Sequence, residues 1–86
     1  MVTYNQAIDE MRKHVGHTES ILCLLVQDAA YGRSLPPENL ARHAAELLAA
    51  RLKMMEDFNY PAHNLTAVNS AYRFFREASN FEGEEH

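Results

Sequence analysis

Three side chains near the N-terminus could together bind a metal ion. Glu10, His14 and His17 stand at positions i, i+4 and i+7, so on an unbroken helix all three would project from one face. Two imidazoles and a carboxylate are a ligand set used for zinc and iron. However, one helix seldom supplies a whole site, and Gly16 lies within the motif, where a bend would separate the ligands. A solvated polar stripe that changes charge near neutral pH is the favoured interpretation, and no metal or other cofactor is predicted.

A second pairing of histidine and carboxylate occurs farther along the chain. His43 and Glu46 are three residues apart, a spacing that carboxylate metal sites in helical bundles use in the reverse order. Such sites need a second Glu/His pair and two more carboxylates, which only a symmetric dimer of this chain could supply. The alternative function is therefore a metal-binding or small-ligand-binding bundle that uses Glu10, His14 and His17, or His43 and Glu46, across a symmetric dimer interface. Ordinary surface electrostatics is favoured, with Arg42 and Glu46 as an i, i+4 ion pair.

Aromatic and cationic side chains are interspersed near the C-terminus. They are Tyr72, Arg73, Phe74, Arg76 and Phe81, and such residues are enriched where proteins bind one another. Arginines beside aromatic rings can also stack on nucleic-acid bases. However, residues 59–86 carry two arginines against four glutamates, a net charge of −2, which disfavours a nucleic acid. We therefore predict that these five residues bind a protein partner.

The sequence contains no recognisable catalytic motif. It has no glycine-rich phosphate loop, no Gly-x-Ser-x-Gly turn and no Cys-x-x-Cys pair, so nothing indicates phosphoryl transfer, acyl transfer or disulfide exchange. Cys23 lies in the apolar run of residues 21–26 without a cationic neighbour, which favours a buried, unreactive thiol. The protein is therefore predicted not to be an enzyme.

The composition is that of a single small globular domain. A chain of 86 residues suits one domain, and 47% hydrophobic against 23% charged residues argues against wholesale disorder. Eight Lys and Arg against 12 Asp and Glu give a net charge of −4, which repels nucleic-acid phosphates. The single cysteine cannot close an internal disulfide, which favours the reducing cytoplasm. The longest apolar run, residues 21–26, is too short to cross a membrane, and the charges at positions 9–13 do not fit a signal peptide.

The apolar spacing predicts helices and no strands. The first helix begins after Thr3, with Gln6 completing a capping box, and its apolar residues recur three and four positions apart on both sides of Gly16. This register is Ile8, Met11, Val15, Leu22, Leu25 and Ala29. The simplest interpretation is one helix of about 28 residues and about 42 Å, kinked or broken at Gly16. A turn at Gly16 and His17, followed by a second helix capped by Thr18, is the alternative.

Two further helices are predicted after the first. Gly32 is expected to end the first helix, and the next begins near Pro37, which suits a first helical turn. Its apolar stripe is Leu40, Leu47, Leu48, Leu52 and Met55. The last helix runs from Leu65 or Thr66 to Asn80. The predicted fold is an all-α, up-and-down bundle of three helices, with residues 1–81 as one domain and residues 82–86 as an acidic, frayed tail.

These helices carry more apolar surface than a three-helix monomer needs. Ile21 and Leu24 lie beside the main stripe of the first helix, and Phe74 and Phe81 lie off the stripe of the last. Because soluble monomers seldom expose large contiguous apolar patches, we predict a homodimer that completes the bundle, with Ile21, Leu24 and Phe74 at its interface. The predicted function is that of a small intracellular protein that binds a larger target as a regulator, adaptor or inhibitor.

Overall fold

Four α-helices make up most of the structure, a computed structural model that describes residues 2–14 and 20–79. The helices are α1 (Tyr4–His14), α2 (Ser20–Ala30), α3 (Glu38–Asp57) and α4 (Ala62–Ser79). No strand occurs in these two ranges. The predicted all-α class is confirmed, whereas the predicted number of three helices is not.

The helices α1 and α2 do not form one long helix. The Tyr4 hydroxyl donates a hydrogen bond to the Leu25 carbonyl at 3.3 Å, although residues 21 positions apart on a continuous helix would be about 32 Å apart. The N-terminal end of α1 therefore lies beside the C-terminal half of α2, and the two helices pack against each other. The favoured interpretation of a single first helix is wrong. The expected kink at Gly16 and cap at Thr18 lie outside the described residues, as does the predicted tail at residues 82–86.

Local sequence explains the start of α1 and the end of α2. The predicted capping box is confirmed, because the Gln6 N–H donates to Thr3 Oγ1 at 3.2 Å and the Thr3 N–H donates to Gln6 Oε1 at 2.9 Å. Gly32 follows α2 with a φ of 85°, and its N–H donates to the Ala29 carbonyl at 2.9 Å. Glycine adopts this left-handed conformation with little strain, so α2 ends where the sequence predicts.

The boundaries of α3 follow from the residues that flank it. The helix begins at Glu38 directly after Pro37, as predicted. It ends in a Schellman motif, in which Asn59 has a φ of 58° and the Tyr60 N–H donates to the Met55 carbonyl at 3.0 Å. Asparagine tolerates the left-handed region better than most residues, which explains why the helix ends here.

The last helix begins earlier than predicted. It starts at Ala62, and the Pro61 carbonyl accepts hydrogen bonds from the N–H groups of Asn64 at 3.1 Å and Leu65 at 3.2 Å. Pro61 therefore starts α4 instead of interrupting it, because a proline at this position loses no helical hydrogen bond.

The core is centred on α3 and α4. These two helices make the most extensive contact, and α1 packs on α4. Ala41 and Ala44 of α3 are fully buried, and their small side chains allow close approach of neighbouring helices. The largest fully buried side chains are Phe75, Met11, Leu25, Leu48, Met55 and Val68. Because one chain forms this core, completion of the bundle by a second copy stays a prediction.

Candidate functional site

A groove lies beside the C-terminal half of α4. It encloses about 590 Å³, which lies within the range typical of ligand pockets. It is lined by Val2, Leu35, Ser70, Arg73, Phe74, Glu77 and Ala78. These residues come from the N-terminal segment, the loop between α2 and α3, and α4 itself. The groove therefore combines apolar side chains with two charges of opposite sign.

An aromatic cluster holds Phe74 in the groove wall. The ring centroid of Phe74 lies 5.8 Å from that of Tyr4 and 5.3 Å from that of Phe75, and the contact with Phe75 is edge to face. Aromatic rings favour such tilted and edge-to-face arrangements. Phe75 is fully buried, whereas Phe74 is half-buried. Phe74 therefore packs against the core while the rest of its surface lines the groove.

Tyr4 connects this aromatic cluster to α2. Its hydroxyl donates to Asp28 Oδ2 at 3.1 Å and to the Leu25 carbonyl at 3.3 Å, and Asp28 Oδ1 lies 3.5 Å from Arg33 Nε. Burial is the largest cause that raises the pKa of Tyr4, followed by the hydrogen bond to Asp28 and its charge. The hydroxyl therefore stays protonated and able to donate. No sequence pattern indicates this connection, because the two partners lie in different helices.

Arg73 and Glu77 lie one helical turn apart at the groove. Both side chains are exposed, and neither is paired with an oppositely charged group within the part of the chain that the structure describes. Complementary charges around an apolar contact orient a binding partner and exclude wrong ones. The groove therefore presents one charge of each sign beside its apolar wall.

The structure brings two of the five predicted partner-binding residues, Arg73 and Phe74, together in the groove. Tyr72 is half-buried against the core. Arg76 is exposed but does not line the groove, and Phe81 lies outside the described residues. The groove residues from the N-terminal segment and the loop were not predicted, because only tertiary contacts bring them to α4.

The three predicted dimer-interface residues have different environments. Ile21 is 5% exposed and belongs to the core of the single chain. It was assigned to an interface because it was expected to be exposed in a monomer, and that expectation is wrong. Leu24 is 47% exposed and does not line the groove, whereas Phe74 does. Cys23 is exposed instead of buried, because the buried side of α2 is formed by residues 21, 22 and 25.

Glu10 and His14 meet on α1, as their spacing predicts. Glu10 Oε1 lies 3.7 Å from His14 Nε2, and Glu10 Oε2 lies 3.2 Å from Lys13 Nζ. Arg51 of α3 donates a hydrogen bond to the His14 carbonyl. Burial is the largest cause that lowers the pKa of His14; Arg51 and Lys13 also lower it, whereas Glu10 acts in the opposite direction. Two neighbouring cations disfavour a metal ion at this pair, and His17 lies outside the described residues.

The second pairing lies exposed on α3. His43 and Glu46 are both exposed, and Arg42 pairs with Glu38 at 3.2 Å instead of with Glu46. A glutamate four residues before a cation is the better orientation in a helix, which explains this corrected pairing. In residues 2–14 and 20–79, no three His, Cys, Asp or Glu side chains are grouped as metal ligands. The described residues therefore supply no set of ligands for the alternative function, metal binding.

No similarity between this chain and known proteins was detected. The chain matches no protein-family model, no curated protein and no solved structure. None of the four helices described is both long enough and apolar enough to cross a membrane. What the fold and the groove define is a small all-helical chain with a concave surface that is part apolar and part charged.

Proposed function

We propose that the protein acts by binding a segment of a larger protein in the α4 groove, as a regulator, adaptor or inhibitor that catalyses no reaction itself. The groove is the observation that carries this proposal. Its wall contains an aromatic ring and an arginine, Phe74 and Arg73, and these residue types are enriched at interface centres. The proposed compartment is the cytoplasm, which is supported by the single cysteine, since one cysteine cannot close an internal disulfide.

The proposed occupant is an amphipathic helix of the partner. Such a helix places apolar side chains at intervals of three and four residues along one face, which is how helices fill apolar grooves. These side chains would contact Leu35, Phe74 and Ala78, while an acidic residue pairs with Arg73 and a basic one with Glu77. Leu35 is 53% exposed, so a partner would remove substantial apolar surface from water there.

Selection from a phage-displayed peptide library tests the proposal, because the library samples many candidate partner segments at once. Peptides selected on the wild-type protein are synthesised, and their Kd values are measured by fluorescence anisotropy. We expect amphipathic helical peptides, and we expect Arg73→Glu to raise their Kd at least about tenfold, because it removes an attraction and adds a repulsion. Arg76→Glu is the matched control, since Arg76 is exposed on the same helix but does not line the groove.

A second pair of variants tests the apolar contact. Leu35→Ser is expected to weaken the selected peptides, whereas Phe58→Ser is expected to leave them unchanged. Phe58 is 68% exposed and does not line the groove. Both side chains are exposed, so neither change should impair folding, which circular dichroism can verify. If no peptide is enriched, or if both Arg73→Glu and Leu35→Ser leave the Kd unchanged, the groove is not the binding site.

A further inference from the structure

Two rows of side chains on α4 form one side of the groove. Ser70, Phe74 and Ala78 stand four residues apart in one row, and Arg73 and Glu77 stand four residues apart in the next. Rows at this spacing are the ridges that interlock when two helices pack. Ser70 and Ala78 are eight positions apart, which is about 12 Å along the helix axis. The groove therefore offers two helical turns of contact, with a charged row beside a mostly apolar one.

Arg73 and Glu77 do not pair with each other, although opposite charges four residues apart on a helix can. The structure describes both side chains and forms no ion pair between them. Their order explains this, because a pair with the acid first is more stable in a helix than one with the cation first. Glu38 and Arg42 on α3 have the favourable order and pair at 3.2 Å. The charges of Arg73 and Glu77 can therefore both pair with a partner.

The end of the groove near Glu77 is negative for two reasons. Glu77 is exposed and stands in the last turn of α4, which ends at Ser79. The C-terminal end of a helix also carries a partial negative charge from its carbonyl groups. Arg76 is in the same turn but does not line the groove. This end of the groove therefore attracts positive charge, whereas Arg73, one turn nearer the start of α4, attracts negative charge.

We propose that the partner helix lies antiparallel to α4, with a basic residue beside Glu77 and, four positions later in its sequence, an acidic residue beside Arg73. This inference rests on the proposed function, since it specifies the direction and charge order of the helix that occupies the groove. In this direction the positive N-terminal end of the partner lies beside the negative C-terminal end of α4. Because its basic residue comes first, the two charges of the partner pair poorly within their own helix and can both bind α4.

A parallel partner helix would need the opposite charge order. Its acidic residue would come first, beside Arg73, and its basic residue four positions later, beside Glu77. That order favours an ion pair within the partner helix itself, and this pair must break before both residues can bind α4. The negative C-terminal end of the partner would also lie beside the negative end of α4. Both effects weaken parallel binding, so the charge order of a bound helix reports its direction.

Two synthetic peptides of identical composition test the proposal. A peptide selected from the library is made with Lys four positions before Glu, and again with these two residues exchanged. On the wild-type protein, the exchanged peptide is expected to have a Kd at least about tenfold higher by fluorescence anisotropy, because antiparallel binding then places Glu beside Glu77 and Lys beside Arg73. The double variant Arg73→Glu and Glu77→Arg keeps the net charge of −4, and it is expected to prefer the exchanged peptide.

Lys53 and Asp57 of α3 provide the matched control. They are exposed, stand four residues apart with the cation first, and form no ion pair with each other. Neither residue lines the groove. The double variant Lys53→Asp and Asp57→Lys therefore exchanges two charges in the same way as the groove variant does. It is expected to keep the wild-type preference for the Lys-first peptide.

Paramagnetic broadening of nuclear magnetic resonance signals measures the direction of the bound peptide independently of its charges. A nitroxide at the N-terminus of the Lys-first peptide is expected to broaden the amide signal of Ala78 more than that of Ser70. A nitroxide at the C-terminus of the same peptide is expected to do the reverse. The two amides are about 12 Å apart on α4, and this broadening falls steeply with distance, so the two directions give opposite results.

Two results would overturn the proposal. One is an exchanged peptide that binds the wild-type protein as tightly as the Lys-first peptide or more tightly, and the other is an N-terminal nitroxide that broadens Ser70 more than Ala78. In either case the groove still binds a helix, and only the direction is wrong. If no peptide is selected, or if Arg73→Glu and Leu35→Ser both leave the Kd unchanged, the proposed function itself fails, and this inference fails with it.

Discussion

Replacing Tyr4 by phenylalanine removes one hydroxyl group and keeps the aromatic ring. The ring stays packed on Phe74 and Phe75, with centroid distances of 5.8 and 6.3 Å. What is lost is the donor to Asp28 Oδ2 at 3.1 Å and to the Leu25 carbonyl at 3.3 Å. The substitution therefore isolates the polar connection between α1 and α2.

The size of the effect follows from the acceptor and its surroundings. The Asp28 side chain is 10% exposed, and a hydrogen bond to a charged group contributes about 1.5 to 3 kcal/mol. We expect Tyr4→Phe to lower the free energy of unfolding by about this amount. A domain of 86 residues has a total stability of about 4 to 13 kcal/mol, so the loss is a substantial fraction. The melting temperature should fall by about 6 °C or more.

Urea denaturation followed by far-ultraviolet circular dichroism measures this change. Tyr31→Phe is the matched control, because it removes a hydroxyl from a side chain that is 82% exposed and should change stability by less than about 0.5 kcal/mol. If Tyr4→Phe lowers stability no more than the control does, the hydrogen bonds of Tyr4 do not hold α2 to α1, and the reasoning is refuted.

The same hydroxyl gives a dependence on alkaline pH. Burial, then the hydrogen bond to Asp28, raises the pKa of Tyr4 above its ordinary value. The unfolded chain therefore loses this proton near pH 10 while the folded chain keeps it. The stability from the protonated hydroxyl is fully present below pH 10 and is lost as the pH rises further. The difference in unfolding free energy between wild type and Tyr4→Phe should shrink above pH 10; a difference that stays constant there would contradict the assignment.

Three other predictions concern pH, backbone strain and metal. The pKa of His14 is lowered chiefly by burial, so its contribution to stability is present above about pH 6.5 and is lost as the pH falls. His14→Gln should therefore flatten the unfolding free energy measured from pH 5 to 8, and a pH dependence equal to that of the wild type would contradict this reasoning. Gly32→Ala should lower the unfolding free energy by about 1 kcal/mol, because alanine is strained at a φ of 85° even though its Cβ would contact no other atom. An unchanged unfolding free energy would show that the backbone at residue 32 shifts to a different conformation. Elemental analysis should find no stoichiometric metal, whereas zinc or iron that is lost in a His14→Ala and His17→Ala double variant would establish the alternative function.

The ends of a helix could be predicted from the sequence where residues at the end have a characteristic capping pattern. The reciprocal hydrogen bonds of Thr3 and Gln6, the left-handed Gly32 and the start of α3 after Pro37 all follow from residues a few positions apart. The start of α4 was predicted too late, because a proline between two helical patterns can equally end one helix or start the next. The bond from the Leu65 N–H to the Pro61 carbonyl resolves that choice.

The prediction of a single first helix failed for a different reason. Apolar spacing on both sides of Gly16 indicates only that each segment has a buried side, and two helices that face one core show that spacing as well as one long helix does. What separates the two possibilities is a tertiary contact, the hydrogen bond from Tyr4 to Leu25. The groove was only partly predictable for the same reason, since Val2 and Leu35 reach α4 through the fold and not through the sequence pattern of α4.

The presence of two separate helices, α1 and α2, also changes which apolar residues are exposed. A single long helix leaves Ile21 and Leu24 together outside its main stripe, but α2 turns Ile21 into the core and leaves Leu24 47% exposed. Leu24 therefore stays exposed on α2 together with Cys23, and Phe74 belongs to a separate groove beside α4. The three residues assigned to one interface from their spacing therefore lie in three different environments, because spacing shows which residues share a side of a helix and not what that side packs against.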